Sequence, residues 1–151
     1  MASIKELCKR DVVSVTRETT AAVAAQLMRQ HHVGAIVVCE QTNGERRIPV
    51  GIVTDRDIVV EVVAPELRAD TITVGDIMVD KLVTVRENEG VVATLELMRH
   101  KGVRRMPIVG AHGQLVGIVS VDDLLGVLAE ELGDIAKLVA REQAHEAEAR
   151  R

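Results

Sequence analysis

The stretch VGIVTDRDI at residues 50–58 is repeated as VGIVSVDDL at residues 116–124. Five of the nine positions are identical, and Thr54 in the first copy is matched by the chemically similar Ser120 in the second. In both copies an aliphatic run typical of a strand leads into the hydroxyl residue, and an aspartate follows three positions later. Because the same polar chemistry occurs twice at a strand-to-helix junction, the sequence indicates a pair of related ligand sites.

The repetition extends through most of the chain, so that two copies of one unit follow each other. Six positions of the first copy recur 70 residues later: Val13, Val15, Leu27, Met28, Arg29 and Val33 correspond to Val83, Val85, Leu97, Met98, Arg99 and Val103. After residue 109 the offset falls to 66, because the first copy carries four extra residues in the polar loop 40–47. We therefore predict one repeat at residues 3–68, a second at residues 73–130 and a C-terminal helical extension over residues 131–151.

Each copy predicts the same order of elements. A short helix begins at Ser3 and again at Thr73, each followed three residues later by an acidic residue that is typical of a capping box. A strand, an amphipathic helix and two further strands joined by a tight turn (Asn43-Gly44 and His112-Gly113) come next, and a last helix ends the unit. The predicted ranges are 4–8, 13–16, 20–31, 34–39, 48–54 and a helix from Asp55 in the first copy, and 74–78, 83–86, 90–101, 105–109, 115–120 and a helix from Val121 in the second.

These elements predict a mixed α+β fold of two tandem β-α-β-β-α repeats related by a pseudo-twofold axis. One such unit has only three short strands and two helices, so its sheet would leave an apolar face uncovered. In tandem the two copies can cover each other. We expect an isolated half, such as residues 1–68, to aggregate or to fail to fold.

The composition excludes several classes of partner. Hydrophobic residues make up 47% of the chain, which is enough for a core, yet Phe, Tyr and Trp are absent. Without aromatic platforms and with a net charge of -4, the chain is not a general nucleic-acid binder. No apolar run approaches the roughly 18 residues that span a bilayer, so we expect no membrane association and a cytoplasmic location. Cys8 and Cys39 belong to no metal-binding spacing and are expected to be reduced thiols.

One long helix is predicted from about residue 121 to residue 145, beyond the natural end of the second repeat. Its apolar stripe is formed by Leu124, Leu128, Leu132, Ile135 and Val139. Two interpretations remain open: the end of the chain folds back on its own repeat, or it forms a helix that pairs with a second copy or docks a partner.

The ordered series of motifs resembles the cystathionine-β-synthase (CBS) domain family. The resemblance rests on the duplicated nine-residue stretch, on LMR at residues 27–29 and 97–99, and on GVRRMPIV at residues 102–109. It covers roughly residues 3 to 130, and two tandem copies form what that family calls a Bateman module. The resemblance implies a regulatory sensor that binds AMP, ADP or ATP, less often an S-adenosyl ligand, and that frequently pairs with a second module as a homodimer.

The resemblance also implies which residues form the two sites. In the family the motif aspartate binds the ribose hydroxyls, the hydroxyl residue faces the phosphate, and the adenine lies against the backbone of the other repeat. Carried over to this chain, the first site uses Thr54, Asp57, Val83, Val103 and Arg104, and the second uses Ser120, Asp123, Val13, Val33 and Gly34. The residue types suit this role, since a carboxylate can accept two hydrogen bonds from a cis-diol and a helix N-terminus favours a phosphate.

Several of these residues have simpler explanations. Thr54 and Ser120 are at least as well explained as helix N-caps. Asp57 and Asp123 recur while their neighbours vary, which favours a role beyond capping. The pair His31-His32 is interpreted as surface residues at a helix end, because adjacent helical side chains diverge and no ligand set completes a metal site.

The two copies are not equivalent in charge. Arg104 has Gly34 as its counterpart, so the second site is expected to lack one basic side chain, and Arg105 is interpreted as a solvated residue. We therefore predict unequal affinities, with the Asp57 site preferring more phosphate charge.

Three functions compete. The first is a non-catalytic module that senses the adenylate pool and passes its occupancy to an unidentified protein target. The second is an enzyme, but no nucleophile has a positioned base, and neither a metal-ligand set nor a phosphate-binding loop is present, so the sequence predicts neither catalysis nor a catalytic cofactor. The third is a structural dimerisation module with vestigial pockets.

Overall fold

The computed structural model describes residues 3–8, 10–42, 46–79 and 81–150. Most of the elements lie where the sequence predicts them, whereas the Asn43-Gly44 turn falls outside the described residues. The helices are α1 (Ile4–Leu7), α2 (Ala21–His31), α3 (Asp55–Ile58), α4 (Val74–Ile77), α5 (Val91–Lys101) and α6 (Val121–Ala149), and a π-helical turn over Val59–Val63 continues α3. The strands are β1 (Ser14–Val15), β2 (Ala35–Gln41), β3 (Arg47–Thr54), β4 (Val85–Arg86), β5 (Arg105–Val109) and β6 (Leu115–Ser120).

Each half of the molecule contains one three-stranded sheet, with strand order β1-β2-β3 in the first and β4-β5-β6 in the second. The first strand of each sheet runs parallel to the second, and the second and third are antiparallel. Even the irregularities recur, since the register shifts after Val38 in one sheet and after Ile108, 70 residues later, in the other. The predicted α+β fold of two tandem repeats is confirmed.

The long helix of each repeat ends in the same backbone conformation. The residue after α2 is His32, with φ 53°, and the residue after α5 is Gly102, with φ 66°. Left-handed residues of this kind commonly end helices because their N–H groups reach back to the last carbonyls. Here the His32 and Gly102 N–H groups donate to the carbonyl of Met28 and Met98 respectively.

The two short helices α1 and α4 each complete the core of the opposite repeat. Ile4 is fully buried in the core of the second repeat, whereas Val74 and Met78 belong to the core of the first. Backbone hydrogen bonds fix the exchange: the Ile4 N–H donates to the Glu89 carbonyl at 3.0 Å, and the Val74 N–H donates to the Thr19 carbonyl at 2.8 Å. In the sequence each helix stands at the start of its own repeat, so its packing in the core of the other repeat was not predicted.

The capping signature at the start of these helices is only partly realised. At α4, the Asp76 carboxylate accepts a hydrogen bond from the Thr73 N–H at 3.0 Å. This bond lowers the pKa of the Asp76 carboxyl. At α1, the Ser3 side chain makes no capping hydrogen bond, so the prediction was wrong there.

A small third cluster of apolar residues joins the two sheets. Val37 and Cys39 on β2 are buried with Leu115 on β6, and Val12 and Ile118 pack against them. Burial raises the pKa of the Cys39 thiol, an effect that Arg47 and Ser14 partly offset. The two repeats therefore share a seam as well as the exchanged helices.

The last helix, α6, extends away from the second repeat. Leu124, in the first turn of α6, is fully buried, but farther along the helix Leu132 is 68% and Ile135 57% exposed. The described part of the C-terminal extension therefore does not fold back on its own repeat, and that interpretation was wrong. Among the described residues, no helix is both long enough and apolar enough to cross a membrane.

Candidate functional site

Two clefts lie where one repeat meets the other. The first is lined by the end of β3, the segment before β4 and the loop before β5: Ile52, Thr54, Val79, Lys81, Leu82, Val83, Val103, Arg104 and Arg105. Four of the five residues predicted for the first site, Thr54, Val83, Val103 and Arg104, lie in it together. The hydroxyl residue of the first repeat thus faces the loop of the second. The first cleft has largely apolar walls and three basic side chains.

In the second cleft the two repeats exchange roles: the strand end comes from the second repeat and the loop from the first. It is lined by the loop before β2, the end of β6 and the start of α6: His32, Val33, Gly34, Ala35, Arg105, Ile118, Ser120, Asp122 and Asp123. Four of the five residues predicted for the second site, Val33, Gly34, Ser120 and Asp123, lie in it. The volume of the second cleft is about 270 Å³ and that of the first about 180 Å³, both small for an enclosed drug-sized site, so a larger ligand would protrude from either cleft.

Two predicted site residues do not line the clefts described above. Val13 packs against the core of the first repeat, and its carbonyl accepts a hydrogen bond from the Val37 N–H at 3.3 Å. Asp57 is half-buried, and its carboxylate accepts a hydrogen bond from the N–H of Thr54, which lines the first cleft.

The duplicated hydroxyl and aspartate form a capping box in each repeat. The Asp57 N–H donates to the Thr54 Oγ1 at 3.2 Å, and the Thr54 N–H donates to the Asp57 Oδ2 at 2.8 Å. In the second repeat the Ser120 N–H and hydroxyl both donate to Asp123 Oδ2, at 3.0 and 2.8 Å. Both aspartates therefore have the capping role that the sequence analysis assigned mainly to their neighbours.

Capping occupies only part of each carboxylate. The bonds found for Asp57 and Asp123 involve Oδ2, and among the described residues the second oxygen, Oδ1, has no hydrogen-bond partner. A carboxylate that is fixed through Oδ2 can still accept hydrogen bonds from a ligand at Oδ1.

Arg105 lines the second cleft as well as the first, a position that its interpretation as a solvated residue did not predict. Gly34 still stands in the second cleft where the first has Arg104. The strand register explains the position of Arg105, which on β5 lies directly opposite Ser120 on β6. Side chains opposite each other on antiparallel strands share a face of the sheet. The predicted hairpin, aligned residue by residue, could have revealed this neighbour.

Lys81 in the first cleft and Asp122 in the second were also missed. Lys81 precedes the predicted strand by two residues, and nothing in its spacing marks it. Asp122 forms an exposed ion pair with Arg104 at 3.9 Å. Two further basic residues nearby do not line either cleft: Lys101 lines a pocket beside the first cleft, and Arg56 is in neither lining.

The side chains that the structure describes do not form a metal site. Within residues 3–8, 10–42, 46–79 and 81–150, no three His, Cys, Asp or Glu side chains come together as a metal site. His31 ends α2 and His32 caps it, both exposed, as expected for surface residues at a helix end.

Two tandem repeats with exchanged helices and two clefts lined by both repeats define a paired-repeat module. The CBS domain model matches this chain twice, at residues 4–64 and 74–130. The chain belongs to the CBS domain family.

Named relatives support this assignment. An uncharacterised protein of Methanopyrus kandleri is 38% identical over 125 residues, which is 83% of this chain but only 62% of the relative. Hypoxic response protein 1 of Mycobacterium tuberculosis is 34% identical over 130 residues, covering 86% of this chain and 87% of the relative.

Solved structures share the fold. The crystal structure of Hypoxic Response Protein I with two coordinated zinc ions is 34% identical, has a TM-score of 0.68 and covers 83% of this chain and 98% of its own. The CBS domain pair of protein MJ0100, in complex with 5′-methylthioadenosine and S-adenosyl-L-methionine, has a TM-score of 0.74 and covers 87% of this chain and 98% of its own. At 20% identity, this second likeness concerns the fold alone.

Proposed function

We propose that this chain is a non-catalytic regulatory module that binds adenine nucleotides of the AMP, ADP and ATP class in its two clefts. The observation that carries the proposal is the pairing within each cleft. In each cleft a hydroxyl at the end of one repeat's sheet faces the loop that precedes a strand of the other repeat, and in the second cleft the Asp123 carboxylate lies beside that hydroxyl. A ligand seated there touches both repeats, so its binding can change how they pack.

The first cleft suits a nucleotide with several phosphates. Ile52, Val83 and Val103 offer aliphatic surface for a base where the chain has no aromatic residue to stack on it. Lys81, Arg104 and Arg105 bring three positive charges to the same cleft. Such cations bind phosphate oxygens by charge-assisted hydrogen bonds.

The second cleft suits a ligand with less negative charge. Its charged lining consists of Arg105 with Asp122 and Asp123, and Asp123 offers a carboxylate oxygen to the ribose hydroxyls. The proposal therefore keeps unequal affinities, with the first cleft preferring more phosphate.

The proposal also includes a homodimer acting in the cytoplasm on a protein target. Apolar side chains are exposed on helical segments of both repeats, among them Val59, Val60 and Val63 in the first and Val92 and Leu125 in the second. Exposed apolar surface of this kind commonly marks an interface. The same exposure favours the second candidate, a structural dimerisation module with vestigial pockets, in which Asp57 and Asp123 serve only as helix caps.

A first experiment uses the absence of aromatic residues. Without Trp or Tyr the protein absorbs almost nothing at 280 nm, so a co-purified adenine nucleotide would dominate the spectrum near 260 nm. Calorimetric titration of nucleotide-free protein with AMP, ADP, ATP and S-adenosylmethionine then identifies the ligand. The expected result is binding of at least one adenine nucleotide. Silence with all four contradicts the sensor and leaves the structural module.

A second experiment separates capping from ligand contact. The variants Asp57→Ala and Asp123→Ala each lose a capping-box carboxylate, which costs about 1 kcal/mol of stability. Asp76→Ala is the matched control, since Asp76 makes the same bond to a helix-capping residue but lines neither cleft. The sensor predicts that Asp123→Ala weakens nucleotide binding about tenfold or more. Equal binding by all three variants would favour a purely structural role.

A further inference from the structure

One side chain lies within reach of both clefts. Arg105 lines the first cleft together with its chain neighbour Arg104, and it lines the second beside its cross-strand partner Ser120. Its equivalent in the first repeat is Ala35, which lies opposite Thr54 in the matching register. Because Ala35 carries no charge, Arg105 is the one cation at these two equivalent positions, and both clefts share it.

Arg105 is free to move toward either cleft. The residue is exposed, and among the described residues its side chain forms neither a hydrogen bond nor an ion pair. A long side chain of this kind changes rotamer easily. A guanidinium held by the phosphate of one ligand is no longer available to a second ligand.

A second contact also links the clefts. Arg104, in the first cleft, lies 3.9 Å from Asp122, in the second. The pair is exposed and contributes little to stability by itself. If an anion in the first cleft draws Arg104 away, however, Asp122 remains as an unpaired negative charge in the second. Both contacts therefore have the same sign: an anion in one cleft disfavours an anion in the other.

We propose that Arg105 couples the two clefts, so that a phosphate-bearing ligand in one weakens the binding of a phosphate-bearing ligand in the other. This coupling rests on the proposed function, and it adds the sign of the interaction between the two clefts. The module responds over a wider range of nucleotide concentration than two independent sites would. The coupling depends on phosphate charge, and an uncharged nucleoside does not produce it.

Two isoleucines allow each cleft to be followed separately. Ile52 lines only the first cleft and Ile118 only the second. With ¹³C at the isoleucine δ1 methyl groups, NMR titrations give one binding curve for each cleft, and a joint fit gives the factor by which each site changes the other. The ligands are ATP, AMP and the uncharged adenosine.

For the unmodified protein, we expect ATP in one cleft to weaken the other by roughly fivefold or more. Adenosine should give two independent curves. The variant Arg105→Gln should weaken ATP binding in both clefts and reduce the coupling to the smaller part that the exposed Arg104–Asp122 pair contributes, while Arg105→Lys should retain much of the coupling. Substitution at this exposed position should leave the melting temperature nearly unchanged.

Lys81→Gln is the matched control, because Lys81 lines the first cleft but not the second. It should weaken ATP binding at Ile52 alone and leave the coupling factor unchanged. The proposal is overturned if Arg105→Gln affects one cleft only, if it leaves the coupling factor unchanged, or if ATP and adenosine give the same factor. If neither methyl group responds to any ligand, the proposed function itself fails, and the coupling fails with it.

Discussion

At the scale of single residues, position 32 shows how two equivalent positions meet the same backbone requirement differently. His32 adopts φ 53° after α2, and Gly102 adopts φ 66° after α5. A residue with a Cβ pays roughly 1–2 kcal/mol for this conformation, while glycine adopts it freely. His32 also lines the second cleft, so the first repeat keeps a strained residue at a candidate ligand site.

This difference gives a reciprocal prediction. His32→Gly should stabilise the ligand-free protein by about 0.5–1 kcal/mol, because relief of strain exceeds the entropy that glycine adds to the unfolded chain. Gly102→Ala should destabilise it by about 1 kcal/mol for the opposite reason. Urea unfolding followed by circular dichroism measures both. If both substitutions change stability in the same direction, the backbone explanation is wrong.

Cys39 gives a prediction that depends on pH. Because burial raises the pKa of its thiol, the folded protein keeps this proton at a pH where the unfolded chain has lost it. The unfolded state then binds fewer protons, so stability should be fully present below the ordinary thiol value of 9.0 and should decrease as the pH rises above it.

The check is a series of unfolding measurements from pH 7 to 10.5 on the unmodified protein and on Cys39→Ala, which retains no titrating group at this position. The alkaline decrease should be smaller in the variant. Alkylation at pH 8 should also be faster at the half-buried Cys8 than at Cys39. Equal alkaline slopes in the two proteins would contradict the assignment.

Residue types at the candidate site were largely predictable, whereas their neighbours in space were not. The duplicated stretch predicted Thr54, Ser120 and Asp123, because each lies at a fixed distance after an aliphatic strand. The role of Arg105 depends on which residue lies across the hairpin and which repeat lies opposite. Those relations arise from register and packing between elements, to which local sequence patterns are insensitive.

At the scale of elements, the exchange of α1 and α4 is the feature that differs most from what the sequence predicts. The capping pattern predicted where both helices begin, but a four-residue helix carries too few apolar positions to specify its partner. The partner is set by what each core lacks. Ile4 fills the core of the second repeat, and Val74 fills that of the first.

Ile4→Ala tests the exchange. Here the side chain is fully buried, so we expect a loss of about 2–5 kcal/mol. The control is Val92→Ala, at a position 55% exposed, which should cost far less.

Hydrogen exchange then locates the effect. In Ile4→Ala, amides of β5 should lose protection more than amides of β2, because Ile4 packs with Met106 and Ile108. Greater loss of protection in β2 would place α1 on its own repeat and contradict the exchange.

At the scale of the whole molecule, two cores and a seam make one interdependent unit. The first core takes Val74 and Met78 from the start of the second repeat, the second takes Ile4 from the start of the first repeat, and the seam buries Val37 against Leu115. The sequence correctly predicted that two repeats cover each other. The stronger interdependence is apparent only from the three-dimensional packing.

This packing sharpens the prediction for fragments. Residues 1–68 contain the whole sequence repeat but lack five residues that pack in its core: Ala69, Ile72, Val74, Ile77 and Met78. They retain α1, whose Ile4 then has no core to fill. Residues 10–79 lack α1 but keep every residue of the first core.

We therefore expect fragment 1–68 to show no cooperative thermal transition, and fragment 10–79 to show a broader but measurable one. Circular dichroism melts, with analytical ultracentrifugation to detect aggregation, compare the two directly. A cooperative melt for 1–68 equal to that for 10–79 would mean that α4 does not complete the first core, and the exchange of helices would then not be what holds the two repeats together.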